Sequence, residues 1–434
     1  MDCEPCTTVD ARSEKDLTTR TLAPNEEPPT VLTDPLSGAP DGGLKAWTVV
    51  LGISLKIFSS FGYVNAWGVF QAYYQDHLLQ DASPSDVAWI GSLQYALVFL
   101  PGLVTGRLVD LDYFKGPCFV ASCTIVACAF ITAQCEKYWQ FLLIQGIMTG
   151  LSSGVIFGTS LGIVSHWFTK RRGFAMAVAA LGSSIGGTVF PVAAQNLLPV
   201  IGFKWTMRVF GLVLAATLGV ANLAVDRRLP PVKVTGGLFN WAAFRNPVYT
   251  TYCISGLFTF LGLYTALTYM SVSAESVGVS SDFSFYLVAI VNASSAIGRL
   301  SAGLLADRYG PTNTMIPFTV AAGVMTFIWP FASSKPELIV VAVTYGITCG
   351  AYVSLLSLPV IAMGELSDVG RRVGMFLTFS AIGALGGPPA SGAIYGATQG
   401  FKAVGFYAGG IVLLSAMLQA VARYLHLGQV LGKF

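Results

Sequence analysis

The stretch from His166 to Gly187 reads His-Trp-Phe-Thr-Lys-Arg-Arg-Gly-Phe-Ala-Met-Ala-Val-Ala-Ala-Leu-Gly-Ser-Ser-Ile-Gly-Gly. A long apolar run stops at Lys170, Arg171 and Arg172 and resumes as an apolar run rich in Ala and Gly. This pattern predicts two membrane helices joined by a charged turn. Adding 200 to Arg171 and Arg172 gives Arg371 and Arg372, again between apolar runs and again followed by small residues. The chain therefore reads as a repeat at half its length.

Composition supports the membrane reading. The 434 residues are 54% apolar and 11% charged, less than half the charged share of a soluble domain, and the mean hydropathy is +0.65. A helix needs about 20 apolar residues to cross roughly 30 Å of hydrocarbon. Residues 46 to 427 have room for twelve such crossings, predicted at 47–73, 86–107, 116–135, 138–166, 172–197, 204–225, 247–272, 283–306, 312–332, 337–363, 372–396 and 402–425. The expected class is an all-α integral membrane protein of two six-helix bundles related by a pseudo-two-fold axis. The bundles are 41–225 and 247–425, joined by a cytoplasmic linker at 226–246 and followed by a short cytoplasmic tail at 426–434. Residues 1–40 hold eight acids and three bases with few large apolar side chains, and read as a disordered cytoplasmic tail. No charged segment leads into a signal-peptide core, so the first helix directs insertion.

The cations set the topology. With the N-terminus inside, eighteen Lys and Arg fall on the cytoplasmic side, among them Arg107, Arg227, Arg308 and Arg423. Five fall outside: Lys137, Lys204, Arg208, Lys335 and Lys402. The asymmetry satisfies the positive-inside rule with both termini cytoplasmic. Basic residues scattered over short turns form no nucleic-acid surface. Cys3-x-x-Cys6 lies in a tail without helix or strand pattern, and the other cysteines lie in or beside apolar runs, so neither a metal site nor a cofactor is expected.

The repeat extends to motifs. Gly106…Asp110 corresponds to Gly303…Asp307, since 303 − 106 and 307 − 110 both give 197. Gly182, Gly186-Gly187 and Pro191 correspond loosely to Gly383, Gly386-Gly387 and Pro388, with Pro191, Pro388 and Pro389 expected to kink or end their helices. Six helices duplicated in the same orientation are the parallel-repeat plan of a secondary transporter, whose substrate sits near the bilayer midplane. The Gly-x-x-x-Asp turns, with neighbouring Arg308, read either as latches that break when the bundles rock or as charges that only fix topology. The glycine faces serve either static packing or the substrate path.

Two cations lie inside apolar helices, Lys56 and Arg299. A charge in hydrocarbon costs at least about 2.5 to 3.5 kcal/mol, so each needs a cavity or a partner. Arg299 reads as an anchor for an anionic group, because a guanidinium holds a carboxylate bidentately, or else as a structural ion pair. Asn65, Tyr95, Asn292 and Ser295 are polar groups able to line the same cavity or to bond helix to helix. Glu365, Asp368 and His166 read as loop or helix-end residues, not proton relays. No cluster of His or acids suits an enzyme.

The residues also resemble a known family. Pro40-Asp41-Gly42-Gly43-Leu44-Lys45-Ala46-Trp47, with Gly68-Val69-Phe70 and Tyr73-Tyr74, resembles the opening signature of the monocarboxylate porter family of the major facilitator superfamily. His166 to Gly187 resembles its second signature, a Phe-x-Lys-Arg-Arg turn entering a Gly/Ala helix, with the spacing of the fungal monocarboxylate-transporter-like branch. With Gly298-Arg299 and Leu305-Ala306-Asp307-Arg308, the resemblance covers about 40 to 425. It implies the twelve-helix fold of that superfamily and movement of small carboxylates or, in fungal members, of vitamins and secondary metabolites, often outward. Arg299 falls at the arginine thought to hold the substrate carboxylate. Two positions depart from the animal lactate carriers: their aspartate four residues before that arginine is Ser295 here, and their first-helix lysine falls at Asn65. Lactate-type proton symport is not carried over with the rest.

The expected protein is a secondary transporter working by alternating access. Its substrate is a small organic acid or acidic secondary metabolite, moved across the plasma membrane, with efflux favoured over proton-coupled uptake of a monocarboxylate or vitamin. A non-transporting membrane sensor is the reading from another class. Arg299, Lys56, Asn65, Tyr95, Asn292 and Ser295 are expected at the substrate. Asp41, Gly42, Gly43, Asp110, Lys170, Arg171, Arg172, Asp307, Arg308, Arg371 and Arg372 are expected at the gates. The partners are the small-molecule substrate and the lipid bilayer.

Overall fold

The structure is a computed structural model that describes residues 40–111, 113–228, 237–364, 368–429 and 432–434. The tail up to residue 39 with Cys3 and Cys6, Pro230-Pro231 with Lys233, and Glu365 lie outside the described residues.

Among the described residues, eleven helices are long and apolar enough to cross a membrane: α1 Leu44–Leu78, α2 Asp86–Asp110, α3 Lys115–Thr132, α4 Tyr138–His166, α5 Arg172–Ala224, α6 Pro247–Ser276, α7 Phe283–Tyr309, α8 Pro311–Phe331, α9 Lys335–Ala362, α10 Val369–Thr398 and α11 Phe401–Leu427. The described residues contain no strand. The count differs from twelve because the segments expected at 172–197 and 204–225 run together as α5. That element has 53 residues, about 80 Å at 1.5 Å per residue, more than twice the hydrocarbon thickness. Its backbone leaves helical geometry at Gly202, at φ 74° and ψ 170°.

Local chemistry sets the other boundaries. The Ser83 hydroxyl accepts from the Asp86 N–H at 3.1 Å, with Pro84 opening the helix. Asn246 accepts from Val248 at 3.0 Å ahead of α6. Ser334 and Glu337 form a capping box at α9, and α11 stops at Gly428 in the left-handed conformation. Of the two outcomes expected for the prolines, ending the helix does not occur: Pro191, Pro388 and Pro389 lie inside α5 and α10. Tyr269 of α6 donates to the Pro388 carbonyl of α10 at 3.0 Å.

Packing repeats along the chain. α1 packs on α5 as α6 packs on α10, α2 on α4 as α7 on α9, and α3 on α5 as α8 on α11. Gly182 and Gly186 abut α1 at Ser54 and Phe58, while Gly383 and Gly387 abut α6 at Leu257 and Leu261. These glycine faces therefore serve close helix packing. The two crossings α2/α10 and α5/α7 join the first-half helices to the second.

Candidate functional site

Two of the aspartates expected at the gates lie where the last turns of α2 and α7 meet the first turns of α10 and α5. Asp110 closes α2, and its carboxylate accepts from the N–H groups of Gly370 and Arg371, both at 2.9 Å. Asp307, near the end of α7, accepts from Gly173 at 2.7 Å and Phe174 at 2.9 Å. Each carboxylate thus satisfies orphan donors at a helix N-terminus, where the helix dipole favours negative charge. Glycines make the approach possible: a Cβ on Gly370 would lie 2.3 Å from the Gly106 carbonyl oxygen, and one on Gly303 would lie 2.7 Å from that of Gly173.

This geometry corrects the register of the repeat. The capped pair Gly173-Phe174 matches Gly370-Arg371, since 370 − 173 gives 197, the offset that also relates the two aspartates. The Arg-Arg pairs, 200 apart, are not equivalent. Arg171 is exposed and Arg172 half-buried, whereas Arg371 and Arg372 are both buried. Arg371 donates to the Asp368 carboxylate, Arg372 lies 3.9 Å from it, and Asn240 donates to it at 2.6 Å. Asp368 is therefore a buried ion-pair partner and not a plain loop residue. A lone acid just before an Arg-Arg pair is the only sequence signal for it.

The two signature segments interlock. Asp41 Oδ1 accepts from Thr169 at 2.7 Å, Lys170 at 2.8 Å and Arg171 at 3.4 Å. Burial raises this carboxyl's pKa, but the three N–H groups and the Lys170 charge outweigh it and hold the pKa below its ordinary value. Gly43, at φ 89°, turns the chain from Asp41 into α1. Trp47 packs edge-on against Phe168. Asp226 binds Lys115 at 2.9 Å and Lys45 at 3.5 Å, and the Lys115 hydrogen bond is the main reason its carboxyl also lies below the ordinary value. Arg308 is exposed and faces the Tyr309 ring.

Deeper in α7 lies Arg299, 6% exposed, about 12 Å along the helix from Asp307. Its Nε donates to the Ser184 hydroxyl of α5 at 2.8 Å, and Ser184 shares a 2.6 Å hydrogen bond with Ser295. Among the described residues no carboxylate pairs with Arg299. It lines a mostly apolar cavity with Ile57, Phe61, Phe157, Met176 and Val353, wide enough in this state for a water-sized group and no more. Lys56 is as deeply buried but is not among the residues lining that cavity.

Asn65, Tyr95 and Asn292 form a second polar group. The Tyr95 hydroxyl donates to Asn65 at 3.1 Å, and a Cβ on Gly187 would lie 2.8 Å from the Asn65 amide and 2.7 Å from that of Asn292. Asn65 falls where α1 leaves regular helix between two helical pieces, and irregular backbone at membrane depth marks protein-buried or cavity-lining positions. Among the described residues no group of His, Cys, Asp or Glu has the spacing of a metal site.

Comparison with known proteins shows the family to which these helices belong. The family description "Major Facilitator Superfamily" matches residues 54–358 and 252–430. The chain belongs to the Major Facilitator Superfamily and is a multi-pass membrane transporter, not an enzyme. It is 34% identical over 386 residues to the aspyridones efflux protein apdF of Emericella nidulans, covering 88% of this chain and 79% of that one. It is 36% identical to the MFS transporter asaE of Aspergillus flavus, covering 82% and 81%, and 32% identical to the agnestins efflux protein AgnL12 of Paecilomyces divaricatus, covering 87% of each. The crystal structure of the human organic anion transporter MFSD10 shares the fold, with a TM-score of 0.68 and 17% identity over 87% of this chain and 100% of that one. The three sequence relatives are fungal transporters, and the narrower monocarboxylate-porter assignment goes beyond them.

Proposed function

We propose that the chain exports a small organic acid or acidic secondary metabolite across the plasma membrane by alternating access. α5 counts as two crossings parted at Gly202, giving twelve in two bundles, 41–225 and 247–425, with both termini cytoplasmic. Substrate is held at Arg299, between the α5/α7 crossing and the cavity, while Asn65, Tyr95, Asn292 and Ser295 line its path and Lys56 contributes charge nearby. The aspartate-capped crossings, with Asp41 and the arginine turns, are the cytoplasmic gate, closed in the state described here. The resemblance of the two signature segments to those of the monocarboxylate porters supports an organic-acid substrate, and the efflux names of two relatives favour the outward direction.

One observation carries the reading: a buried guanidinium lines a cavity and has no carboxylate partner among the described residues. Such a charge is costly in the membrane unless its ligand supplies the counter-ion. Flux of radiolabelled organic acids in proteoliposomes tests it. Arg299→Ala is expected to lower uptake of anionic substrates at least tenfold, with Arg299→Lys intermediate because it keeps the charge and loses the fork. Unchanged flux and affinity in Arg299→Ala would sink the assignment, and absence of flux in the native chain would favour a sensor.

A further inference from the structure

Four serines, Ser160, Ser183, Ser354 and Ser357, line the cavity that holds Arg299. Three of them already bond within their own helices. Ser160 donates to Ile156 at 2.6 Å, Ser183 to Ala180 at 3.0 Å and Ser354 to Ala351 at 2.9 Å. Ser357 differs. It is 1% exposed, and among the described residues its hydroxyl has no hydrogen-bond partner.

The backbone explains the difference. α9 runs as regular helix to Leu355 and restarts at Leu358, leaving Ser357 at the junction. There the hydroxyl neither reaches a carbonyl of the preceding turn, as the other three do, nor caps the segment that follows. A buried hydroxyl left without a partner is destabilising and calls for one; of the buried side-chain atoms without a partner among the described residues, that of Ser357 is the one on a residue lining the Arg299 cavity.

We infer that Ser357 is a specificity-determining residue, a second polar reader in the Arg299 cavity. The substrate class it selects is an amphipathic anion. Its carboxylate meets Arg299, its apolar body lies among Phe61, Phe157, Met176 and Val353, and a second oxygen, hydroxyl or carbonyl, bonds Ser357. A short acid without a distal oxygen leaves Ser357 unpaired and is selected against. The cavity is too narrow for such a molecule while the gate is closed and widens when the bundles part. This inference rests on Arg299 as the substrate anchor.

The test compares octanoate with 8-hydroxyoctanoate, and 3-phenylpropanoate with 3-(4-hydroxyphenyl)propanoate, as competing substrates in proteoliposomes. The native chain is expected to prefer the hydroxylated member of at least one pair about tenfold, the order expected for one buried hydrogen bond. Ser357→Ala should abolish that preference by weakening only the hydroxylated acid, and Ser357→Thr, which keeps the hydroxyl, should retain it. A preference that survives Ser357→Ala, an equal fall for both members, or failure of the native chain to move any of the four would overturn the inference. Arg299→Ala separates the two claims. If it spares flux while the preference still depends on Ser357, the anchor is wrong and the reader stands. If it abolishes flux while Ser357→Ala changes nothing, the reverse holds.

Discussion

The two crossings between the halves share a backbone and differ in what they enclose. At the gate, Asp110 on Gly370-Arg371 and Asp307 on Gly173-Phe174 are near copies, with all four hydrogen bonds between 2.7 and 2.9 Å. Deeper, the same offset of 197 pairs Arg299 with Gly102 and Ala381 with Ser184. In α2/α10 the Gly102 position is filled by packing, since a Cβ there would lie 2.8 Å from Leu377 and 3.1 Å from the Gly374 carbonyl oxygen. In α5/α7 the equivalent depth holds the buried Arg299–Ser184 contact and the cavity. The repeat thus duplicated a carboxylate-capped helix contact, while the buried arginine and its cavity belong to one copy. The copies also diverge at the rim, where Asp110 is buried beside the Asp368–Arg371 pair and Asp307 is half-buried near exposed charges.

The comparison breaks most readily at the glycines. Gly370→Ala places a methyl 2.3 Å from a backbone oxygen that cannot move aside. Overpacking of this kind costs about 1 to 3 kcal/mol, so the closed gate should lose about tenfold or more in population. Spin-label distances between the ends of α2 and α10 would show the widened arrangement, and an unchanged distance distribution would count against the latch. Next in size is Asp110→Asn. Asn keeps one acceptor oxygen and loses the charge, so it forfeits only part of the about 1.5 to 3 kcal/mol that a hydrogen bond to a charged group supplies, and opening should rise up to about tenfold. Asp307→Asn, more open to water, should shift it only a few-fold. Equal effects at the two sites would mean that rim burial does not matter.

The smallest effect concerns Asp41. Its folded pKa lies below the ordinary carboxylate value of 3.8, so its contribution is complete above that value and is lost as pH falls through the depressed one. Asp41→Asn should lower the melting temperature slightly at neutral pH and flatten its decline on acidification. A variant that melts like the native chain at every pH would show that the two signatures touch without supporting each other.

Much of this was legible in the residues. Tyr138–His166 falls where apolar length and flanking charge predict it, and the Gly-x-x-x-Asp repeat carried the offset of 197 before any contact was known. The Arg-Arg echo misled, because charged residues at helix ends answer to topology as well as to register. The arginines therefore match at 200 while the hydrogen-bonded glycines match at 197. Asp368 reads as a plain helix-end residue, since nothing local says that Asn240, more than a hundred residues away, donates to its carboxylate.

The sequence by itself determined the class, the crossing segments, the repeat and the two intramembrane cations, because hydrocarbon imposes length and polarity rules that act on each helix separately. Only the tertiary structure decided which cation lines the cavity, which aspartate meets which helix end, and which of four serines is left with a free hydroxyl. Those are properties of helix faces meeting across the two halves, and a spacing of 115 residues between Ser184 and Arg299 contains no trace of the 2.8 Å between them.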